Sequence, residues 1–302
     1  MNTKVAIILV GVSGSGKSGY VNNLPGVVSG DVKVVSKDII RRQLFEYDPE
    51  INFWDQYTFK DEKKLSINSQ MNTLIELYAN QGSSIVIDNT NLSFNKNTSL
   101  EASLKSLGYD VHFVNLNLSS DMRYYELRNK SRLDSISSGA INDQYVLACK
   151  SGYIPFEEAR KPNIAIVDLD GTVALKGDRT FFEFNKSGRD LPNTYVIDTI
   201  KALLKAGLID YVQFLSGRES YSYDVTYAWL QTQGFDMDLH RLLMRSTKDH
   251  RKDYIIKKEI YENCIENKAN IFAVFDDRPQ VIDLWWDLKL PVFHVGDYRI
   301  QF

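Results

Sequence analysis

Lys4-Val5-Ala6-Ile7-Ile8-Leu9-Val10-Gly11-Val12-Ser13-Gly14-Ser15-Gly16-Lys17-Ser18 is the stretch on which the reading of the whole chain depends. Its first seven residues, mostly aliphatic, read as a strand buried on both faces, the kind found in parallel sheets. They run directly into G-x-x-x-x-G-K-[ST]. Glycine lets such a loop curl so that its N–H groups face inward, and the helix that follows adds the positive end of its dipole. Gly11, Ser13, Gly14, Ser15 and Gly16 are therefore read as a phosphate cradle. Lys17 is expected to reach the outer phosphates and the Ser18 hydroxyl to ligate Mg²⁺.

A chain of 302 residues suits two domains of ordinary size. Its 43% apolar and 25% charged residues describe a soluble globular protein. No apolar run approaches the roughly 20 residues that span a bilayer, and the first strand leaves no room for a leader peptide. The cysteines, Cys149 and Cys264, have no metal-ligand spacing and are expected as reduced core thiols of a cytoplasmic protein. The four scattered histidines show no zinc pattern. A net charge of −3 argues against a protein that coats long nucleic acid but leaves open one that grips a strand end.

After the loop, Val32–Ser36 reads as a strand and Ile39–Phe45 as a helix, with Asp38 near its start. Asp38 and Arg41 share a helix face. The carboxylate can take a proton from an attacking hydroxyl, and the arginine can hold an acceptor phosphate. A capping aspartate with a surface ion pair is the plainer alternative. Tyr57–Asn80 reads as a long amphipathic helix, Ser84–Ile87 as a strand ending in Asp88-Asn89-Thr90-Asn91, and Val111–Leu118 as another strand. Asp88 suits either a supporting place near Mg²⁺ or a helix cap. Asp121–Leu133 reads as a helix with Arg128 and Arg132 on one face. That is a solvated face or a lid stabilising a transferring phosphoryl group.

Ser151–Pro162 reads as a linker, which divides the chain into 1–152 and 153–302. A new buried strand, Asn163–Val167, then enters Asp168-Leu169-Asp170-Gly171-Thr172. Alternate residues share a face, so both carboxylates point into one pocket, where Mg²⁺ would balance them. Asp168 can attack phosphorus, and Asp170 can protonate the leaving oxygen. Strand Tyr211–Leu215 closes in Ser216-Gly217-Arg218, a phosphate-binding turn. Lys252 opens a helix and is placed to neutralise phosphoryl charge. Strand Ile271–Phe275 ends in Asp276-Asp277, suited to Mg²⁺, and Trp285-Trp286 read as core-facing helix residues.

Through G-V-S-G-S-G-K-S, S-K-D-I-I-R, D-N-T-N-L and R-N-K-S-R the first half resembles the kinase domain of the bacteriophage polynucleotide kinase/3′-phosphatase family. The second half, through D-L-D-G-T, S-G-R-E-S and D-D-R, resembles the haloacid dehalogenase phosphatases. The resemblance implies an α/β protein of two domains, a P-loop parallel sheet followed by a Rossmann-like phosphatase. It implies Asp38 as general base, Arg41 as acceptor-phosphate ligand and Arg128 and Arg132 as lid arginines. It further implies Asp168 as nucleophile, Asp170 as acid/base, Ser216 and Lys252 as phosphate ligands, and Asp277, Asp168 and the Asp170 carbonyl on Mg²⁺. The family has an aspartate directly before its Thr-Asn pair, where this chain has Asn89, with Asp88 one place earlier.

The expected activity is end healing: ATP phosphorylates a 5′-hydroxyl of RNA or DNA, and a 3′-phosphate or 2′,3′-cyclic phosphate is removed ahead of a ligase. The family also implies a homo-oligomer, a tetramer in the phage relative, with no membrane association. A small-molecule kinase/phosphatase acting on a sugar or nucleoside shares the generic chemistry. A nucleotide-sensing module without turnover is the third class, and the intact Lys17, Asp38, Asp168 and Asp170 argue against it.

Overall fold

The computed structural model describes residues 4–57, 66–155, 161–180 and 182–296. The chain forms two compact units, Met1–Ile136 with Ser151–Pro155, and Ser137–Lys150 with Phe156–Phe302. Helix Ser138–Lys150 precedes the expected divide at 152/153 yet packs with the second unit. Ile141, Asn142, Tyr145, Ala148 and Cys149 form its buried stripe at helical spacing. Cys149 and Cys264 are both buried free thiols. Among the described residues no helix is long and apolar enough to cross a membrane.

The first unit holds strands β1 (Val5–Val10), β2 (Val32–Val35), β3 (Ser84–Ile87) and β4 (Asp110–Asn115), parallel in the order β2-β3-β1-β4. Alternation sends Ala6 and Ile8 to one face, where they meet Ile67, Met71, Ile75 and Ala79 of helix Ile67–Asn80. Leu9 faces the other way, against Val21 and Val86. Burying one such aliphatic side chain is worth about 1.5–3 kcal/mol, so both layers clamp β1. Ile8 pairs with Ile87 and Val35 with Ile87, which brings Gly11, Asp88 and Ser36-Lys37-Asp38 to one sheet end.

Several helices differ in extent from the sequence expectation. The helix expected over Tyr57–Asn80 begins at Ile67, with Ser66 in the left-handed region at φ 50°; positions 58–65 lie outside the described residues. Tyr57 instead ends a separate short turn, Phe53–Gln56. The arginine helix runs only from Met122 to Lys130. Asn129 closes it, its side chain bonding both the N–H and the C=O of Ile136, so Arg132 lies past the helix end rather than one turn above Arg128.

The second unit contains β5 (Asn163–Val167), the short antiparallel pair β6 (Ala174–Leu175) and β7 (Leu191–Pro192), β8 (Tyr211–Glu219), β9 (Arg241–Arg245), β10 (Asn270–Asp276) and β11 (Val292–His294). Its main sheet is parallel in the order β11-β10-β5-β8-β9. Val167 pairs with Phe214 on one side and Phe275 on the other, so Asp168 and Asp276 at strand ends lie beside Ser216, where the register of β8 shifts; β8, expected to close at Leu215, runs on to Glu219. Trp285 is fully buried as expected, whereas Trp286 is 58% exposed, because adjacent residues of a helix cannot both lie on a narrow apolar stripe.

Two candidate active sites

In the first unit the Gly11–Ser18 loop is braced from three directions. The Gly11 N–H donates to Thr90 O at 3.0 Å, the Val12 N–H to Asn117 Oδ1 at 2.9 Å, and Asn91 Nδ2 to Leu9 O at 2.7 Å. Gly14 has φ +87°, and a Cβ there would sit 2.5 Å from Tyr125 O, so only glycine fits between the loop and helix Met122–Lys130. Arg128 Nε donates to Gly14 O at 2.8 Å. The buried Ser15 hydroxyl has no partner among the described residues, which leaves a polar atom in the cradle for a phosphate oxygen.

Lys17 Nζ folds back on the loop, 2.8 Å from Gly11 O and 3.1 Å from Val12 O. Burial pushes its pKa down to about 8, helped by the Arg132 charge and opposed by Asp88 and Asp38. Asp88 is moved up, chiefly by burial and also by Asp38, while Lys17 and Arg132 pull it down. Lys17, Asp38, Asp88 and Arg132 thus act within one electrostatic neighbourhood. Asp38, in the first turn of helix Lys37–Leu44, is exposed and bonds the partly buried Arg41 at 2.7 Å. The Arg41 guanidinium lies over the Trp54 and Tyr57 rings, at 5.7 and 5.9 Å.

The adjacent Asp88 and Asn89 separate cleanly. Asn89 Oδ1 accepts the Lys37 N–H at 2.9 Å, which caps the helix that carries Asp38. Asp88 is the member of the pair that faces Lys17 electrostatically. Ser18 is exposed in the first turn after the loop, open to a metal-bound nucleotide.

In the second unit Asp168, Asp276 and Asp277 bring carboxylate oxygens within 4.8 Å of one another. Asp277 lies directly over Gly171 (φ +86°), where an added Cβ would come within 2.0 Å of it. Lys257 Nζ donates to Asp168 Oδ1 at 2.7 Å and Asp276 Oδ2 at 2.9 Å, and lies 3.5 Å from Asp253. Trp285 Nε1 also donates to Asp276, at 3.3 Å. Burial pushes Asp168 well up; Lys257 opposes this, but Asp276, Asp277 and Asp253 crowd it further. Burial and Asp276 push Asp277 up to about 6 against Lys257 and Arg278. Burial opposes the Lys257 charge, but three carboxylates outweigh it and hold the ammonium charged. An acid cluster with this much uncompensated charge fits a hard divalent cation such as Mg²⁺.

Lys252 does not join this cluster. It is exposed at the N-cap of helix Asp253–Ile260, its Nζ over the Tyr254 ring at 6.0 Å. The buried Lys257, one turn further on, is the cation that reaches Asp168. The one signal in the sequence was its position between Ile256 and Ile260 on the apolar face, where a lysine is out of place unless paired.

Asp170 and Arg218 also differ from expectation. Arg218, fully buried, bonds Asp170 through Nε and a terminal nitrogen at 2.8 Å each, and bonds Asp190 at 2.8 Å. Arg179 also bonds Asp170, and it grips Asp190 at 2.7 and 2.8 Å. Arg218 therefore holds the Asp170 carboxylate rather than reaching outward to phosphate. Burial pushes Asp170 up, but Arg218 and Arg179 outweigh it and hold the carboxyl below its ordinary value. Neither Arg179 nor Asp190 was singled out from the sequence.

Ser216 is buried, its Oγ accepting the Arg218 N–H at 3.1 Å. Arg245 Nε donates to Gly217 O at 2.6 Å and another of its nitrogens to Asp253 at 3.1 Å, fixing the turn from below. Burial opposes ionisation of Asp253, yet Lys257, Arg278 and Arg245 hold it below its ordinary value.

Residues 162–298 match the family described as the polynucleotide kinase PNKP phosphatase domain, and residues 7–144 match an AAA domain family. A protein of Autographa californica nuclear polyhedrosis virus, named as a bifunctional polynucleotide kinase/RNA ligase, is 31% identical over 314 aligned residues. The match covers all of this chain and 44% of that relative, so the chain spans less than half the relative's length. Two solved structures align over 98% of both chains. One, described as the Pnkp1/Rnl/Hen1 RNA repair complex, has 26% identity and a TM-score of 0.43. The other, described as the Pnkp1/Rnl/Hen1 complex, has 24% identity and a TM-score of 0.42.

Proposed function

We propose that this chain, whose two halves match an AAA domain family and the family of the polynucleotide kinase PNKP phosphatase domain, heals nucleic-acid ends. The observation that carries this reading is a complete set of chemical groups at each of two sheet ends in one chain. The first site phosphorylates a 5′-hydroxyl with ATP. The second removes a 3′-phosphate. RNA or DNA ends are the substrates, and a ligase consumes the products.

In the first site Asp38, exposed on its helix, takes the proton of the acceptor hydroxyl as that oxygen attacks phosphorus. Arg41, held by Asp38 and two aromatic rings, is pre-oriented for an acceptor phosphate. Lys17, Arg128 and Arg132 supply the positive charge that stabilises the phosphoryl group in transfer. Ser18 would hold Mg²⁺, with Asp88 keeping Lys17 in place.

In the second site Asp168 forms a bond to phosphorus while the P–O3′ bond breaks, giving an aspartyl-phosphate. Asp170 lends a proton to the leaving oxygen and regains one from the water that releases phosphate. Arg218 and Arg179 favour the carboxylate, which suits the second half of that cycle. Ser216, Gly217 and Lys257 surround the phosphoryl oxygens. Asp168, Asp277 and the Asp170 carbonyl would hold Mg²⁺, with Asp276 beside them; the ion neutralises charge on the phosphoryl oxygens. A homo-oligomer and a cytoplasmic location belong to the same reading.

Paired variants test it. Lys17→Ala is expected to abolish label transfer from γ-labelled ATP to a 5′-hydroxyl oligonucleotide while 3′-phosphate removal persists. Asp168→Asn is expected to do the reverse, because an amide cannot accept the phosphoryl group. An oligonucleotide that is neither labelled nor dephosphorylated by wild-type protein, with sugar phosphates turned over instead, would favour the small-molecule reading.

A further inference from the structure

Within the second unit, helix Ser138–Lys150 meets β9 and the segments that follow β8 and β9 at three points. The first is Asn142, fully buried, whose Nδ2 donates to Met244 O and whose Oδ1 accepts the Met244 N–H, each at 2.9 Å. It pairs with the open edge of β9 as a neighbouring strand would, satisfying backbone groups that would otherwise be orphaned. The second is Gly139, where an added Cβ would lie 2.0 Å from Ser220 O, so helix and loop backbones are in direct contact. The third is Asp143. Its Oδ1 accepts the Ser220 hydroxyl at 2.6 Å, and its Oδ2 accepts the Thr247 N–H at 3.3 Å. The Ser220 and Thr247 hydroxyls lie 2.8 Å apart, and Glu219 accepts the Lys248 N–H at 2.9 Å. One carboxylate thereby staples the segment after β8 to the segment after β9.

Both stapled segments lead straight into the reacting groups. Ser220 follows two residues after Arg218, which grips Asp170 at 2.8 Å through two nitrogens. Thr247 follows two residues after Arg245, which bonds Gly217 O at 2.6 Å and Asp253 at 3.1 Å. We propose that Asp143, supported by Asn142, is a positioning residue of the phosphatase site. By bridging Ser220 and Thr247 it sets the placement of Ser216, Gly217 and Arg218, and through Arg218 that of Asp170. This rests on the phosphatase reading above. It makes a helix that precedes the phosphatase family segment a working part of the phosphatase site, although Asp143 touches neither substrate nor reacting atoms.

The test uses full-length Asp143→Ala, Asp143→Asn, Ser220→Ala and the double variant D143A/S220A. Readouts are hydrolysis of an oligonucleotide 3′-phosphate and of p-nitrophenyl phosphate, kinase activity, thermal melting, and hydrogen exchange over residues 216–220. Displacing a catalytic group by about 1 Å can cost on the order of 100-fold. Asp143→Ala is expected to lower phosphatase kcat about tenfold or more at unchanged KM, with kinase activity and melting retained. Exchange over 216–220 should accelerate. The double variant should be no worse than Asp143→Ala, since partners in one contact are non-additive. Asp143→Asn, which keeps an oxygen for Ser220, should recover much of the loss. Unaltered kcat and exchange in Asp143→Ala overturn the proposal, as does a loss of kcat that merely tracks a loss of melting temperature. If wild-type protein hydrolyses neither phosphate ester, the phosphatase reading falls, and the exchange measurement still decides whether Asp143 holds the loop.

Discussion

Lys257 Nζ sits 2.7 Å from Asp168 Oδ1, buried with it and shared with Asp276 at 2.9 Å. One ammonium thus orients Asp168, the nucleophile of the proposed phosphatase reaction, and one of the acids beside it. Replacing Lys257 by Met should lower 3′-phosphatase kcat by about 100-fold or more, the scale of losing a preorganised charge. Lys252→Met should stay within about threefold of wild type, because that side chain is exposed over the Tyr254 ring and Lys257 is the lysine bonded to Asp168. Steady-state phosphatase kinetics on both variants, with kinase activity as the internal control, check the assignment. Equal losses in the two would contradict it.

Asp190 shows how a residue outside the pocket can govern it. Its carboxylate is fully buried and bonds both Arg179 and Arg218, the two arginines that hold Asp170. Asp190→Asn removes the anion that shares both arginines, which leaves their charge to Asp170 alone and their orientation less fixed. The Asp170 carboxyl, held below its ordinary value by the arginines against burial, should then go lower still. A lowered pKa means that the carboxylate form persists to lower pH. No acid limb from Asp170 should therefore rise into the phosphatase pH profile, while kcat falls about tenfold from the loosened arginines. Measuring the profile from pH 4 to 8 checks it, and a limb that moves to higher pH, or an unchanged kcat, would contradict it.

Lys17 carries a second pH prediction. Burial lowers its pKa to about 8 in the free protein, whereas a bound polyphosphate favours the ammonium. Above pH 8 much of the free protein must take up a proton when ATP binds, so affinity should fall as pH rises through that value. Titration calorimetry at pH 8.5 in buffers of different ionisation enthalpy should report proton uptake, and Lys17→Met should abolish it.

Asp88 and Asn89 should differ in what they cost. Asp88→Asn should reduce kinase kcat by about 10- to 100-fold with little change in melting, since its partners are the charged groups of the site. Asn89→Ala removes the acceptor for the Lys37 N–H, and loss of such a cap costs about 0.5–2 kcal/mol. Thermal melting and kinase kinetics on the two variants separate a charge effect from a capping effect.

The features legible in the sequence are those carried by contiguous residues at strand ends. Gly11–Ser18, Asp168-Leu169-Asp170-Gly171-Thr172 and Asp276-Asp277 each follow an apolar run, and parallel sheets bring such ends together. Lys257 was missed because a lone lysine on a helix has no local pattern, and its identity as a site residue depends on three carboxylates distant in sequence. Arg179 and Asp190 lie in an irregular segment with no periodicity to assign a face. Arg218 reads as a phosphate ligand in the sequence because a short motif does not reveal which way a long side chain runs. The helix Ser138–Lys150 shows the same limit at the scale of a domain. Its buried stripe is local, but its packing surface comes from residues about a hundred positions later.

The most direct test is a short oligoribonucleotide carrying both a 5′-hydroxyl and a 3′-phosphate, incubated with the protein, Mg²⁺ and γ-labelled ATP. The account predicts label at the 5′ end and loss of the 3′-phosphate, each reaction abolished by only one of Lys17→Ala and Asp168→Asn. An oligonucleotide recovered with both ends unchanged, from protein that still binds ATP, would contradict it.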